Sequence, residues 1–374
     1  MKILWRSDSP LAVGSGYGQQ TALFVPRIAA ALGHEIVVSA PGSYRGVPLW
    51  WGDHMIIGGA RDPYGNDVLA GDLQAHEIDL LLTLCDVFTL HPSAGDIARA
   101  NSCHWIPIDT QPAGEIDLAV LRDGGGTPIA MSRFGERMLA DEGCDPLLYV
   151  PHGVDSALFA PGEPNEGPFT IGVDAANKDL SVRKRIPNQM LAFARFREWH
   201  PEARLEIHAA SQASPGLNLK AVALRLGIAD ACEWPDLYSY TTGIIPDTTM
   251  AGWYQGLDVL SNCSNEGFGL AVLRAQSCGV PVVVSDCSAG TELCGAGWKV
   301  PGELEWTDGH NSFWHWPYPK AIEAAYEAAW QAREDGKMPA LRAKARAFAE
   351  QYDADLVLER DWRPALKALE AGLR

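Results

Sequence analysis

Residues 257–286 read LDVLSNCSNEGFGLAVLRAQSCGVPVVVSD. An apolar run, LDVLSNC, ends in a polar loop. Glycines then lead into GLAVLRAQSCG, whose apolar residues recur at helical spacing, with Gly279 as its stop, and VPVVVSD is a second apolar run. Runs that are apolar throughout, rather than alternating, are what a parallel strand buried on both faces requires. Strand, helix, glycine stop and strand together make one βαβ unit. Glu266 stands at the mouth of its loop, and Arg274 follows eight positions later.

The same rhythm runs outward in both directions. KILWR, EIVVSA, DLLLTLC, HWIPI and TPIAMS are apolar runs in the first part of the chain, and FTIGVDA and RLEIHAA in the second. Between them lie helix-like stretches such as QQTALFVPRIAAAL, RFGERMLADEG, IPNQMLAFARFREW and LNLKAVALRLG. Pro26 is expected to kink or interrupt the first of these, because proline removes an internal hydrogen bond and clashes with the preceding turn. Residues 156–168, SALFAPGEPNEGP, break the alternation with three prolines and two glycines. The pattern predicts an α/β fold of two doubly wound, Rossmann-like domains, 1–155 and 169–350, joined by a linker at 156–168. A helical tail follows at 351–374. Ligands of such sheets bind beyond the carboxyl ends of the strands, so two sheets facing across a cleft would gather their chemistry on the loops after strands.

Bulk composition excludes some partners. The 374 residues carry a net charge of −17, with 9 Lys/Arg against 18 Asp/Glu in residues 1–150 and 21 against 29 in the rest. No basic stripe marks a phosphate-backbone or anionic-membrane surface, so no stable nucleic-acid partner is expected. No apolar run reaches transmembrane length. MKILWR is too short for a signal core. The eight cysteines are scattered without a CxxC pair, which argues against zinc and for reduced thiols in a cytoplasmic protein.

Three loops could carry chemistry. SDSPLAVGSGYGQQ follows the first strand, and Gly14, Gly16 and Gly18 would let backbone approach a phosphate ahead of a helix starting near Gln19. It lacks the Gly-Lys-Ser/Thr of a P-loop, and a flexible connection is the plainer reading. NKDLSVRKR (177–185) holds the densest basic cluster, Arg183, Lys184 and Arg185. These could grip a diphosphate or simply be solvated. Glu266 could hold vicinal hydroxyls, or it could be an acid favoured by the helix dipole.

SNCSNEGFGLAVLRAQSCGVPVVVSDCSAGTEL (261–293) resembles the signature of retaining GT-B glycosyltransferases of the family 4 type. AMSRFGERML, YVPHGVDSALFAP, FARFREWHPEARLEIHAA and MAGWYQGLDVLSNCS resemble the same family, as does the final helical stretch, which in these enzymes crosses back to the first domain. The likeness covers nearly the whole chain. It implies that a nucleotide-sugar binds mainly to the second domain. Glu266 would hold donor-sugar hydroxyls, and the backbone of Phe268, Gly269 and Leu270 would meet sugar and phosphate. Lys184, helped by Arg183, would neutralise the departing diphosphate. Gly14, Gly16 and Gly18 would approach the diphosphate and acceptor side, and Glu292 would approach the nucleotide or start a helix. The resemblance further implies front-face attack assisted by the leaving phosphate, domain closure that excludes water, no catalytic metal and no cofactor beyond the sugar donor.

Two positions depart from the family pattern. A second acid eight residues after the first commonly contacts the ribose, and here that position is Arg274, which only donates hydrogen bonds. Arg274 could reach ribose oxygens, a phosphate or charged sugar, or pair with an acid. A histidine often follows a mid-domain strand near the transferring sugar. The matching place in HWIPIDTQP gives Asp109, which could bind a sugar hydroxyl, accept the acceptor proton or cap a turn. His152 in PHGVD reads as structural, and Tyr254 and Asp258 belong to the helix and strand before Glu266. The leading expectation is a metal-independent retaining glycosyltransferase acting on an acceptor hydroxyl. The alternatives are a GT-B sugar phosphorylase or epimerase, and a catalytically silent nucleotide-sugar-binding protein. GSYRGVPLWWGD and VFTLHPSAGD are candidate acceptor loops, and the aromatic-rich NSFWHWPYP (311–319) is read as core packing or a lid edge.

Overall fold

The computed structural model describes residues 1–12, 14–145, 147–178 and 183–373. The chain divides into two compact units. The first comprises Met1–Gly153, Thr307–Phe313 and Asp353–Arg374, and the second Val154–Trp306 and Trp314–Tyr352. The proline-rich stretch at 156–168 thus belongs to the second unit, and the tail belongs to the first.

The first unit is built on β1 (Lys2–Arg6), β2 (Glu35–Ser39), β3 (Leu49–Trp51), β4 (His54–Ile57), β5 (Leu80–Leu84), β6 (Ser102–Ile106), β7 (Thr127–Ala130) and β8 (Leu148–Tyr149). Their order is β3-β4-β2-β1-β5-β6-β7-β8, parallel except for the antiparallel β3–β4 pair. β5 and β6 are buried at every residue, the cost of placing a strand under helices on both faces and the reason their sequence does not alternate. The helix after β1 runs Gly16–Leu32 with Ser15 as its N-cap, starting three residues ahead of the expectation. Pro26 lies inside this one helix and does not end it. Burial of Phe24, Val25 and Ile28 on both sides of the proline outweighs the one lost backbone bond.

The tail completes this unit's core. Trp362 is fully buried, with its ring centroid 5.7 Å from Trp5, 4.8 Å from Trp105 and 5.9 Å from Phe24. His152 is buried edge-on against Trp105 at 4.6 Å, and burial drives its imidazole down to about 3, so it packs as a neutral ring. His104 is likewise neutral: burial lowers it to about 4, and its ring nitrogens meet Thr83 Oγ1 at 2.8 Å and the Gly125 carbonyl at 3.2 Å.

The second unit repeats the design with β9 (Thr170–Asp174), β10 (Arg204–His208), β11 (Cys232–Glu233), β12 (Val259–Asn262), β13 (Val282–Ser285) and β14 (Gly297–Val300). All pair parallel in the order β11-β10-β9-β12-β13-β14. Phe193 and Phe196 from the helix Ile186–Arg197 meet Tyr326 from the helix Pro319–Glu334 in its core. A further hairpin pairs β15 (Gly302–Thr307) with β16 (Ser312–Pro317). The turn of this hairpin is counted with the first unit, where Glu115 N–H donates to the His310 carbonyl and Gln111 N–H to that of Phe313, each at 3.0 Å.

Candidate functional site

The βαβ unit around Glu266 is β12, the helix Leu270–Ser277 and β13. Gly269 is its N-cap at φ 111°, a backbone conformation that a side chain would strain, and no side chain caps the helix. Its first-turn N–H groups therefore point out of the loop with the positive end of the helix dipole. Glu266 sits just before them. Its own N–H donates to Ser288 Oγ at 3.1 Å, and Ser264 Oγ donates to its Oε1 at 2.7 Å. Ser288 holds φ 46° to present that hydroxyl, a strained conformation of the kind that clusters at functional sites.

Lys184 Nζ lies 2.6 Å from both oxygens of Glu266, with the two side chains only 17% and 14% exposed. Burial alone would push the Glu266 carboxyl up, but Lys184 and Arg183 together hold it below its ordinary range. Arg183 Nη1 donates to the Asn265 carbonyl at 2.7 Å. The loop after β9 thus delivers Arg183 and Lys184 to the loop after β12; residues 179–182 of NKDLSVRKR lie outside the described residues. Arg185 departs from them. Its guanidinium lies 2.9 Å from the Trp316 ring centroid and 3.5 Å from Glu305, and burial lowers it to about 10 against the pull of that acid. Asn265 exchanges hydrogen bonds with the His315 backbone at 2.8 and 2.9 Å, so the hairpin braces the same loop. Phe268 is buried, Leu270 opens the helix, and Glu292 is half-buried near the end of the helix Ser288–Leu293.

Arg274 meets a different set of residues. Only 11% exposed, it places Nη1 3.6 Å from Asp247 Oδ1, and its guanidinium lies 4.5 Å above the Phe159 ring. It also pulls on Asp174. Asp174 in turn meets His208 Nδ1 at 2.8 Å and accepts from the Tyr254 hydroxyl. Of the roles open to Arg274, pairing with an acid is the one this geometry displays. That partner, Asp247, is 27 residues away in sequence, so no local signal could have found it.

His208 also lines a cavity of about 300 Å³ at the ends of β10 and β11, which sequence reading missed entirely. Trp234, Trp253, Met250 and Ile207 form its apolar walls, with Glu206 and Glu233 among its polar groups. The signal was present as EIH and CEWPD at strand ends, but only the fold places them side by side.

In the first unit, the expected residues stand after β1 and β6. Gly16 and Gly18 fall in the first turn of the helix, not ahead of it, and Gly14 lies in the preceding turn; Val13 lies outside the described residues. A Cβ on Gly18 would meet the Ser9 and Ala12 carbonyls at 2.5 and 2.8 Å, so its own loop already requires a glycine there. Asp109 lies close to His310 from the hairpin turn. Burial would lower that imidazole, but Asp117 at 3.9 Å, with Asp109 and Asp86 nearby, holds it above its ordinary value.

Comparison with known proteins agrees with this architecture. The sucrose-phosphate synthase of Thermosynechococcus elongatus superposes with a TM-score of 0.74 at 15% identity, covering 98% of this chain and all of that one. Anabaena HepE, solved with UDP and glucose, gives 0.68 at 17% identity with the same coverage. The fold is therefore that of the GT-B glycosyltransferases. The family model for group 1 glycosyl transferases matches residues 189–307, a stretch that contains Glu266. A D-inositol 3-phosphate glycosyltransferase of Pseudarthrobacter chlorophenolicus is 31% identical over 209 residues, 54% of this chain and 46% of the relative. The chain spans less than half the length of such curated relatives. No helix among the described residues is long and apolar enough to cross a membrane.

Proposed function

We propose that the chain is a retaining glycosyltransferase that moves a sugar from a nucleoside-diphosphate donor to an acceptor hydroxyl without a catalytic metal. The observation that carries this reading is the seating of a mostly buried carboxylate, Glu266, between two cations and an uncapped helix start. Glu266 accepts hydrogen bonds from hydroxyls of the donor sugar. Lys184, Arg183 and the helix N–H groups meet the diphosphate, whose charge grows as the anomeric C–O bond breaks. Fixed donors aimed at developing charge are the largest single source of catalysis in such sites. The acceptor oxygen attacks from the face the phosphate leaves, and its proton passes to a phosphate oxygen. Loops of the first unit, Asp109 among them, recognise the acceptor. The relatives' names as glycosyltransferases and the UDP and glucose in the HepE structure support a nucleotide-sugar donor. Eight free cysteines fit a reducing, cytoplasmic location.

Glu266→Ala should cut the transfer rate by about 10²-fold or more, the scale of losing a transition-state contact. Near-normal turnover in that variant would remove Glu266 from the mechanism. The anomeric configuration of the first-formed product, read by NMR, tests retention. Unchanged rates after chelation test metal independence. An epimerised donor, or sugar moved onto phosphate with no glycoside formed, would favour the isomerase or phosphorylase alternative.

A further inference from the structure

The cavity at the ends of β10 and β11 is lined from the second unit alone. Its apolar walls are flat, with an indole from Trp234 after β11 and another from Trp253 on the helix Asp247–Gln255. About 300 Å³ suits one bicyclic aromatic ring. Glu206 and Glu233 are direct register partners on adjacent parallel strands, so both carboxylates leave the sheet on one face beside that space. Neighbouring like charges on a sheet are unfavourable, and among the described residues no ion pair offsets either one. The other charged groups on the cavity are already engaged. His208 is bonded to Asp174, and Asp236 caps the helix Leu237–Thr241 by accepting from Ser239 N at 2.9 Å. Burial, and then Glu233, push the Glu206 carboxyl above its usual range, against the opposing pull of the Trp253 side chain. Two carboxylates at an aromatic slot thus present surplus acceptors.

The complement is a planar ring with adjacent N–H donors on one edge. Among the nucleoside bases, guanine has that edge: its ring N1–H and exocyclic amino group lie side by side and match the two oxygens of one carboxylate, as a guanidinium fork does. Uracil and thymine offer a single N–H flanked by two carbonyl oxygens, which carboxylates repel. Adenine and cytosine offer one amino group beside an acceptor nitrogen. We propose that this cavity holds the base of the donor and that the base is guanine, so that the donor is a GDP-sugar. The assignment rests on the glycosyltransferase reading above. Asp174 joins the cavity to the reaction site, bonding His208 on the cavity wall and lying within the field of Arg274 on the helix that follows Glu266.

The test is calorimetry of the full chain with GDP, IDP, UDP, ADP, CDP and dTDP. GDP should bind at least tenfold more tightly than UDP. IDP, which lacks only the 2-amino group, should lose about tenfold relative to GDP. Glu206→Gln or Glu233→Gln, each checked for an unchanged melting temperature, should narrow the GDP-to-UDP ratio at least fivefold. UDP binding as well as GDP, or a ratio unmoved in both variants, would overturn the base assignment and leave the glycosyltransferase reading standing. Failure of every nucleoside diphosphate to bind the folded chain would overturn that reading as well.

Discussion

At Glu266, burial and two cations oppose each other, and the cations prevail. The balance has consequences that can be measured. Lys184→Met leaves a carboxylate with 14% exposure that keeps Arg183 and Ser264 as neighbours. Removing one partner of a fully buried pair costs about 3–5 kcal/mol, and partial exposure here reduces that to about 2–3. Urea unfolding at pH 7 reads the loss. Because the folded carboxyl is held below its ordinary value of 4.5, its stabilising contribution is present above pH 4.5 and disappears as pH falls through the folded value. The variant should lose that acid-side slope. Arg274 poses the converse case. An acid at this position would stand beside Asp247 and Asp174 in place of their counter-ion. Arg274→Glu should therefore destabilise by about 2 kcal/mol or more. The Asp247→Arg, Arg274→Glu exchange should recover part of it in a double-mutant cycle; simple additivity would show that the two residues do not interact.

Elements were legible in the sequence to the degree that their burial was complete. β5, β6, β9, β12 and β13 lie beneath helices on both faces, and their continuous apolar runs announced them. β11 is only Cys232–Glu233, and β14 carries an exposed lysine, so neither produces a run. β16 lies within NSFWHWPYP, whose tryptophans read as core packing or a lid edge, and β15 mixes acids with a tryptophan and gives no apolar run. Of the candidate site, Glu266, Lys184 and Arg183 stand out as candidates because they follow strands, where doubly wound sheets bind ligands, while the roles given to them are what the family resemblance implies. The acids Glu206 and Glu233, and the Arg274–Asp247 pair, depend on neighbours far along the chain. Gly18 belongs to this scale as well: Gly18→Ala forces its Cβ onto two carbonyls of the preceding loop. It should lower stability by about 1–3 kcal/mol, seen as a reduced midpoint in chemical unfolding. The hairpin turn is pH-sensitive through His310, which Asp117, Asp109 and Asp86 keep above its ordinary value of 6.5. Its contribution is full below pH 6.5 and is lost as pH rises through the folded value. Hydrogen exchange at residues 307–313 should quicken over that rise, and His310→Gln should abolish the dependence.

Across the whole molecule, the chain returns its last segment to its first unit, and Trp362 fills a core made by Trp5, Trp105 and Phe24. Trp362→Ala should cost about 3–5 kcal/mol, and limited proteolysis should then cut residues 1–153 before the second unit. Equal protection of both units would contradict that role for the tail. In the second unit, one carboxylate and one ammonium are paired with each other at 2.6 Å, and the proposed function requires them to divide the sugar and the diphosphate of a donor between them. The most direct measurement is a crystal structure of the full chain with a hexose donor of whichever nucleoside diphosphate binds in calorimetry. Sugar hydroxyls should lie within hydrogen-bond reach of Glu266, and a diphosphate oxygen should lie on Lys184. A donor bound elsewhere, with the Lys184–Glu266 pair intact and untouched, would contradict it.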